Sequence, residues 1–154
     1  MTTLNVINNA AAEVHVSTNR TPAAVDVYIS AVRTDDLIGK PWRLGARGPE
    51  AFDCWGLVLV LAQRCGRAVP PDWCSCDMSR AQQRALMVDE SRSRTVRLAG
   101  PVEGAIAYSE RGAHAGFVLH GRVIHAMRGA GVVAWSFGLW TQAFPDAGWH
   151  AWHG

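Results

Sequence analysis

The chain has 154 residues, 49% of them hydrophobic and 18% charged, with a formal net charge of +2. That is enough apolar sequence for one folded core rather than a disordered chain, and it lacks the concentrated basic patch of a nucleic-acid surface. No apolar run reaches the roughly eighteen residues of a membrane-spanning helix, and the start, Met1-Thr2-Thr3-Leu4-Asn5, lacks the charged and apolar regions of a signal peptide. The expectation is a product made in a cytoplasm, with Cys54, Cys65, Cys74 and Cys76 kept as free thiols.

Residues 1–22, rich in Asn, Thr and Ala, read as an N-terminal extension ordered against a partner, with Val14-His15-Val16 as a short strand at most. Residues 23–154 read as a single domain. The apolar spacing over 24–38 predicts a helix, with Thr21-Pro22 as its start. Residues 37–49 are rich in Gly and Pro and form a loop.

Asp53-Cys54-Trp55-Gly56-Leu57-Val58 opens a nearly all-apolar helix running to Arg64-Cys65, with Asp53 as N-cap and Gly66 as stop. A thiol at the first helical position feels the positive end of the helix dipole, which favours the nucleophilic thiolate. A lone cysteine is more commonly a buried structural residue, so the rest of the chain has to decide.

Val69-Pro70-Pro71-Asp72-Trp73 is a break. A helix is predicted over 79–90, with Ala81, Ala85, Leu86 and Met87 facing inward, and 91–94 as an exposed polar stretch. Arg92, Arg94 and Arg97 form a solvated basic face. From Gly104 the pattern becomes short strands at 105–108, 114–119, 122–127 and 132–135, separated by Gly-containing turns. Trp140, Phe144, Trp149 and Trp152 cover a sheet edge or line a groove, and His150 and His153 sit on the surface. Helices followed by a strand meander make an α+β domain.

With His120-Gly121 as a turn, His114 and His125 fall on one sheet face as diagonal neighbours, roughly 7–8 Å apart at the backbone and within reach of aromatic side chains. A register slipped by one residue would put them on opposite faces. Each alone is more often a structural strand histidine. Together with Cys54 they supply a nucleophile, a base and an orienting group.

At these positions the chain resembles a known family. Asp53-Cys54-Trp55-Gly56-Leu57-Val58, preceded by Gly39-Lys40-Pro41-Trp42-Arg43-Leu44-Gly45, is similar to the nucleophile segment of NlpC-type papain-like cysteine peptidases. His114-Ala115-Gly116-Phe117-Val118 resembles the second motif of that family, and Ile124-His125-Ala126 the third. The likeness spans residues 36–135 and is nearest to the phage-tail branch. It implies a papain-like α+β domain, N-terminal helices packed on an antiparallel sheet with the nucleophile at a helix N-terminus. The implied activity is cleavage of peptidoglycan stem peptides next to γ-D-glutamyl residues, without cofactor or metal.

By the same resemblance Cys54 attacks, His114 carries the proton, His125 orients His114, and the Cys54 backbone amide meets the oxyanion. Trp42 stands where many relatives have Tyr, and an indole offers one hydrogen bond from a different distance. Trp42, Asp53 and Arg43 are the candidates for oxyanion or substrate orientation, Asp53 chiefly as a cap, with Arg47 a further candidate for a substrate carboxylate. Other phage tail proteins are the implied partners, and the tail tip of the virion the implied location. Three rival readings remain. They are a metal site at Cys65, Cys74 and Cys76, whose Cys-x-Cys spacing is poor; a non-enzymatic tail assembly protein; and a papain-like amidase.

Overall fold

A computed structural model describes residues 29–72 and 78–152. The expected extension, most of the 24–38 helix, Cys74, Cys76 and His153 lie outside the described residues. Ile29 and Ser30 are helical and Ile29 is buried.

Helix α1, Cys54–Arg64, begins where Asp53 accepts a hydrogen bond from the Gly56 amide at 2.7 Å. It ends at Cys65 and Gly66, whose positive φ of 59° lets the Arg67 amide reach back to the Ala62 carbonyl at 2.9 Å. Trp55, Leu57, Val58, Leu61 and Ala62 are buried along it, as expected of a helix apolar on most sides.

Helix α2, Arg80–Arg94, opens with a reciprocal capping box between Ser79 and Gln82. It runs one turn beyond the expected end, and Glu90 and Arg94 pair across that turn at 2.8 Å. Ala81 and Ala85 are exposed rather than inward. The buried stripe instead centres on Met87, flanked by Gln83, Leu86 and Ser91.

The sheet comprises β1 (Thr95–Leu98), β2 (Ile106–Ser109), β3 (His114–Leu119), β4 (Arg122–Met127), β5 (Gly131–Trp135) and β6 (Gly148–Trp152), in the order β1-β6-β2-β3-β4-β5. Its named pairings are antiparallel. The β3–β4 hairpin has the expected register, Phe117 opposite Ile124 and Leu119 opposite Arg122. Its turn residue His120 has φ 55°, and Glu103 accepts from the amides of His120 and Gly121 at 2.8 and 2.6 Å.

Strands β1 and β6 and the short helix α3, Phe137–Ala143, go beyond the sequence reading. The Trp-rich end does not merely cover an edge, because β6 lies inside the sheet between β1 and β2. His150 is correspondingly half-buried in β6, with its Nδ1 2.9 Å from Thr95 Oγ1, and is not a surface residue.

Strand alternation gives the sheet two apolar faces. Ala115, Phe117, Leu119, Ile124, Ala126 and Val132 join the α1 residues in one cluster. Ala107 and Val123 join Trp140 of α3 in the other, with Trp135, Phe137, Phe144 and Trp149 packed around them. The result is an α+β arrangement with Cys54 at the N-terminus of a helix packed on an antiparallel sheet. Among the described residues no helix is long and apolar enough to cross a membrane.

Candidate active site

The loop before α1 is built to hold the start of that helix. Gly39 N–H donates to Val132 O and Val132 N–H to Lys40 O, both at 2.9 Å, which ties the loop to β5. Trp42 and Arg47 each form an isolated bridge with Phe52. The buried Asp53 carboxylate gathers three donors: the Gly56 amide at 2.7 Å, Arg47 Nη1 at 2.8 Å and the Gly45 amide at 2.9 Å. Arg47 also grips Asp72 with two hydrogen bonds of 2.8 and 2.9 Å. Asp53 is therefore a cap and loop anchor, with its oxygens already committed, and Arg47 belongs to the same network.

Cys54 follows at the first helical position and is partly accessible. Its thiol is pushed up to about 11, chiefly by burial, with the Asp53 charge adding to the rise; a hydrogen bond from the Ala115 backbone opposes both. Burial thus outweighs the pull of the helix terminus toward thiolate. Cys54 and His114 line the same pocket.

His114 Nε2 lies 2.9 Å from His125 Nδ1, with the rings edge to face at 5.1 Å between centroids. Gly116 makes this contact possible. It lies against β4, where a Cβ would fall 2.5 Å from Val123 Cγ1 and 3.2 Å from His125 Cβ. The α3 face completes the setting. His114 stacks on Trp140 and Phe144 at 5.7 and 5.0 Å, and His125 meets Trp135 and Trp140 edge to face at 4.4 and 5.1 Å. Burial lowers His114 to about 4, and burial with the neighbouring His114 lowers His125 to about 3. His125 is fully buried, and its Nε2 has no hydrogen-bond partner among the described residues.

A pocket of about 160 Å³ opens onto this group and is lined by Trp42, Asp53, Cys54 and His114, among others. Arg128 places its guanidinium 4.9 Å from the centre of the Trp42 ring. Arg43 is exposed and does not line the pocket. The structure therefore brings together Cys54, His114, His125 and Trp42, leaves Asp53 as an anchor, and sets Arg43 aside.

Sequence reasoning missed Arg84 and Arg128 in the pocket wall, and it singled out Trp140 and Phe144 without placing them against the histidines. Arg128 follows β4 directly, three residues after His125, which is a usable signal; Arg84 lies in a polar helix and gives none. Among the described residues no group of three His, Cys, Asp or Glu side chains could hold a metal ion.

No family model matches the chain, and no curated protein matches it. Among solved structures, the NlpC/p60 domain of the peptidoglycan hydrolase SagA is similar, with 23% sequence identity and a TM-score of 0.49, over 84% of this chain and 96% of that one.

Proposed function

We propose that this chain is a cysteine endopeptidase that cleaves peptidoglycan stem peptides, next to γ-D-glutamyl residues, through Cys54, His114 and His125. The observation that carries the reading is that a helix-terminal cysteine and His114, whose Nε2 is hydrogen-bonded to the buried His125, line one pocket. The substrate class rests on the motif resemblance.

His114 commits Nε2 to His125, which leaves Nδ1 as the nitrogen for the thiol. For Nδ1 to act as a base, Nε2–H donates to His125 Nδ1. Cys54 then passes its proton to His114 Nδ1, and the sulfur attacks the peptide carbonyl. The oxyanion meets the Cys54 backbone amide at the helix start. As the tetrahedral intermediate collapses, the imidazolium gives its proton to the leaving amine and a thioester remains on Cys54. Water, deprotonated by His114, hydrolyses the thioester and restores the thiol. Trp42 stands in the pocket wall as a substrate-orienting group.

The form of the nucleophile segment supports a phage tail protein, with docking to other tail proteins through residues 1–22. A non-enzymatic assembly role is favoured by one observation, the stacking of Trp42 under Arg128, which occupies the indole at the position where many relatives have Tyr.

The test is digestion of purified peptidoglycan by the wild type and by Cys54→Ala, with fragments identified by mass. New stem-peptide ends that vanish with Cys54→Ala are expected. Absence of products from a folded wild type would favour the assembly role.

A further inference from the structure

A segment remote from Cys54 in the chain is tied to His114 by a series of short hydrogen bonds. His114 opens β3, and its direct cross-strand partner is Ser109, the last residue of β2. Ser109 is fully buried. Its Oγ donates to Asp146 Oδ1 at 2.9 Å and accepts from the Gly112 amide at 2.9 Å. The other oxygen of that carboxylate, Oδ2, accepts from the Arg111 amide at 3.0 Å. Asp146 stands between α3 and β6, two residues after Phe144, whose ring stacks on His114 at 5.0 Å. One short segment, 144–146, therefore touches both the imidazole of His114 and the hairpin loop that leads into it.

That loop is strained at the residue before His114. Ala113 has φ 44°, a left-handed conformation that costs an alanine energy and that its methyl group cannot offset with a local hydrogen bond. Gly112 packs so closely that a Cβ there would fall 2.9 Å from both Phe144 Cδ1 and Ser109 Oγ. At the other end of the loop, Arg92 of α2 donates to the Glu110 carboxylate at 3.1 and 3.0 Å. Gly112, Ala113 and His114 all line the pocket that holds Cys54. Relaxation of the loop would move His114 together with that wall, and a misplacement of about 1 Å can cost a reacting pair about 100-fold.

We propose that Asp146 and Ser109 are positioning residues, which clasp the β2–β3 loop in its strained form and so keep His114 within proton-transfer reach of Cys54. This rests on the reading of Cys54 and His114 as a nucleophile and its base. An ionised carboxylate suits the task, because it accepts from two donors at once and its charge strengthens both hydrogen bonds. Ser109 suits it because a hydroxyl donates and accepts through one atom.

The experiment follows alkylation of Cys54 by iodoacetamide against pH, with the modified residue identified by mass. The wild type is compared with Asp146→Ala, Asp146→Asn, Ser109→Ala and His114→Ala. The thiol titrates at about 11 and the imidazole at about 4. Between those values, transfer of the Cys54 proton to His114 leaves the total protonation unchanged, so the thiolate it forms does not vary with pH. Thiolate formed by loss of the proton to solvent rises instead about tenfold per pH unit. A positioned His114 therefore shows as a plateau near neutral pH, a feature that a change in stability alone does not remove.

The wild type should show the plateau and His114→Ala should lose it. Asp146→Ala and Ser109→Ala should lower it roughly 10- to 100-fold while keeping the rise at high pH. Asp146→Asn, which keeps one accepting oxygen, should lower it by a smaller factor, and it decides the matter if an alanine variant fails to melt cooperatively. A plateau unaltered in the folded variants, or absent from the wild type, would overturn the proposal. Digestion of peptidoglycan is scored separately. A plateau that depends on Asp146 and Ser109, without digestion by the wild type, would retain the clasp and remove the hydrolase reading. Digestion by the wild type that is undiminished in Asp146→Ala and Ser109→Ala would do the reverse.

Discussion

At Cys54 two effects of opposite sign act on one thiol. The helix terminus favours thiolate by about 0.3–1 kcal/mol, whereas burial of a titratable group can move its pKa by several units. Burial wins, and the resting pair is a neutral thiol beside a neutral imidazole, at about 11 and about 4 respectively. The Asp53 cap and the place of Cys54 at the helix start were legible in the sequence; the burial that acts on the thiol was not, because it depends on what packs over the helix end.

The buried histidines also make an acid-labile fold. Both are held neutral in the folded chain, below the ordinary value of 6.5. Their contribution is therefore fully present above about pH 6.5 and is lost as pH falls toward about 4 and then about 3, because the unfolded chain binds the extra protons. The melting temperature should drop between about pH 7 and about pH 4, and His125→Gln should drop less over that interval. A melting temperature that stays flat across it would contradict the buried neutral pair.

Among the elements, α1 is fixed at its first turn by a single carboxylate. Removing the capping oxygen costs about 0.5–2 kcal/mol, and Asp53→Ala also strips a partner from Arg47 and from the Gly45 amide. The expected loss is about 2 kcal/mol in urea unfolding at unchanged m. Asp53→Asn, which keeps a capping oxygen but loses the charge, should lose less. Equal losses for the two variants would mean that the cap itself contributes little.

Helix α1 and the β3–β4 hairpin could be read from sequence because their determinants are local: a cap, an apolar run and a two-residue turn. Strands β1 and β6 could not. Leu98 pairs with Trp149 and Ile106 with His150, across long stretches of chain. Helix α3 was hidden for a similar reason, since Trp140 is buried only because the second sheet face needs a cover.

For the molecule as a whole, the last strand is structurally internal. β6 joins β1 to the rest of the sheet, and Trp149 helps to pack the α3 face. A chain ending before Gly148 should leave β2 as a bare edge, release β1 and lose its cooperative thermal transition. A truncated chain that still melts sharply would show that the α1 side of the core suffices. The two sheet faces also divide the labour of the site: α1 delivers the sulfur from one side, and the tryptophan-rich side holds the histidines in place.

In the proposed mechanism Cys54 becomes acylated during turnover. The most direct measurement is acid-quenched turnover of a stem peptide, followed by intact mass and fragmentation of the protein. The mechanism predicts a protein population heavier by the acyl portion of the substrate, with the added mass on Cys54 and absent in Cys54→Ala. Steady product formation with no adduct at Cys54, or with the adduct at Cys65, would contradict it.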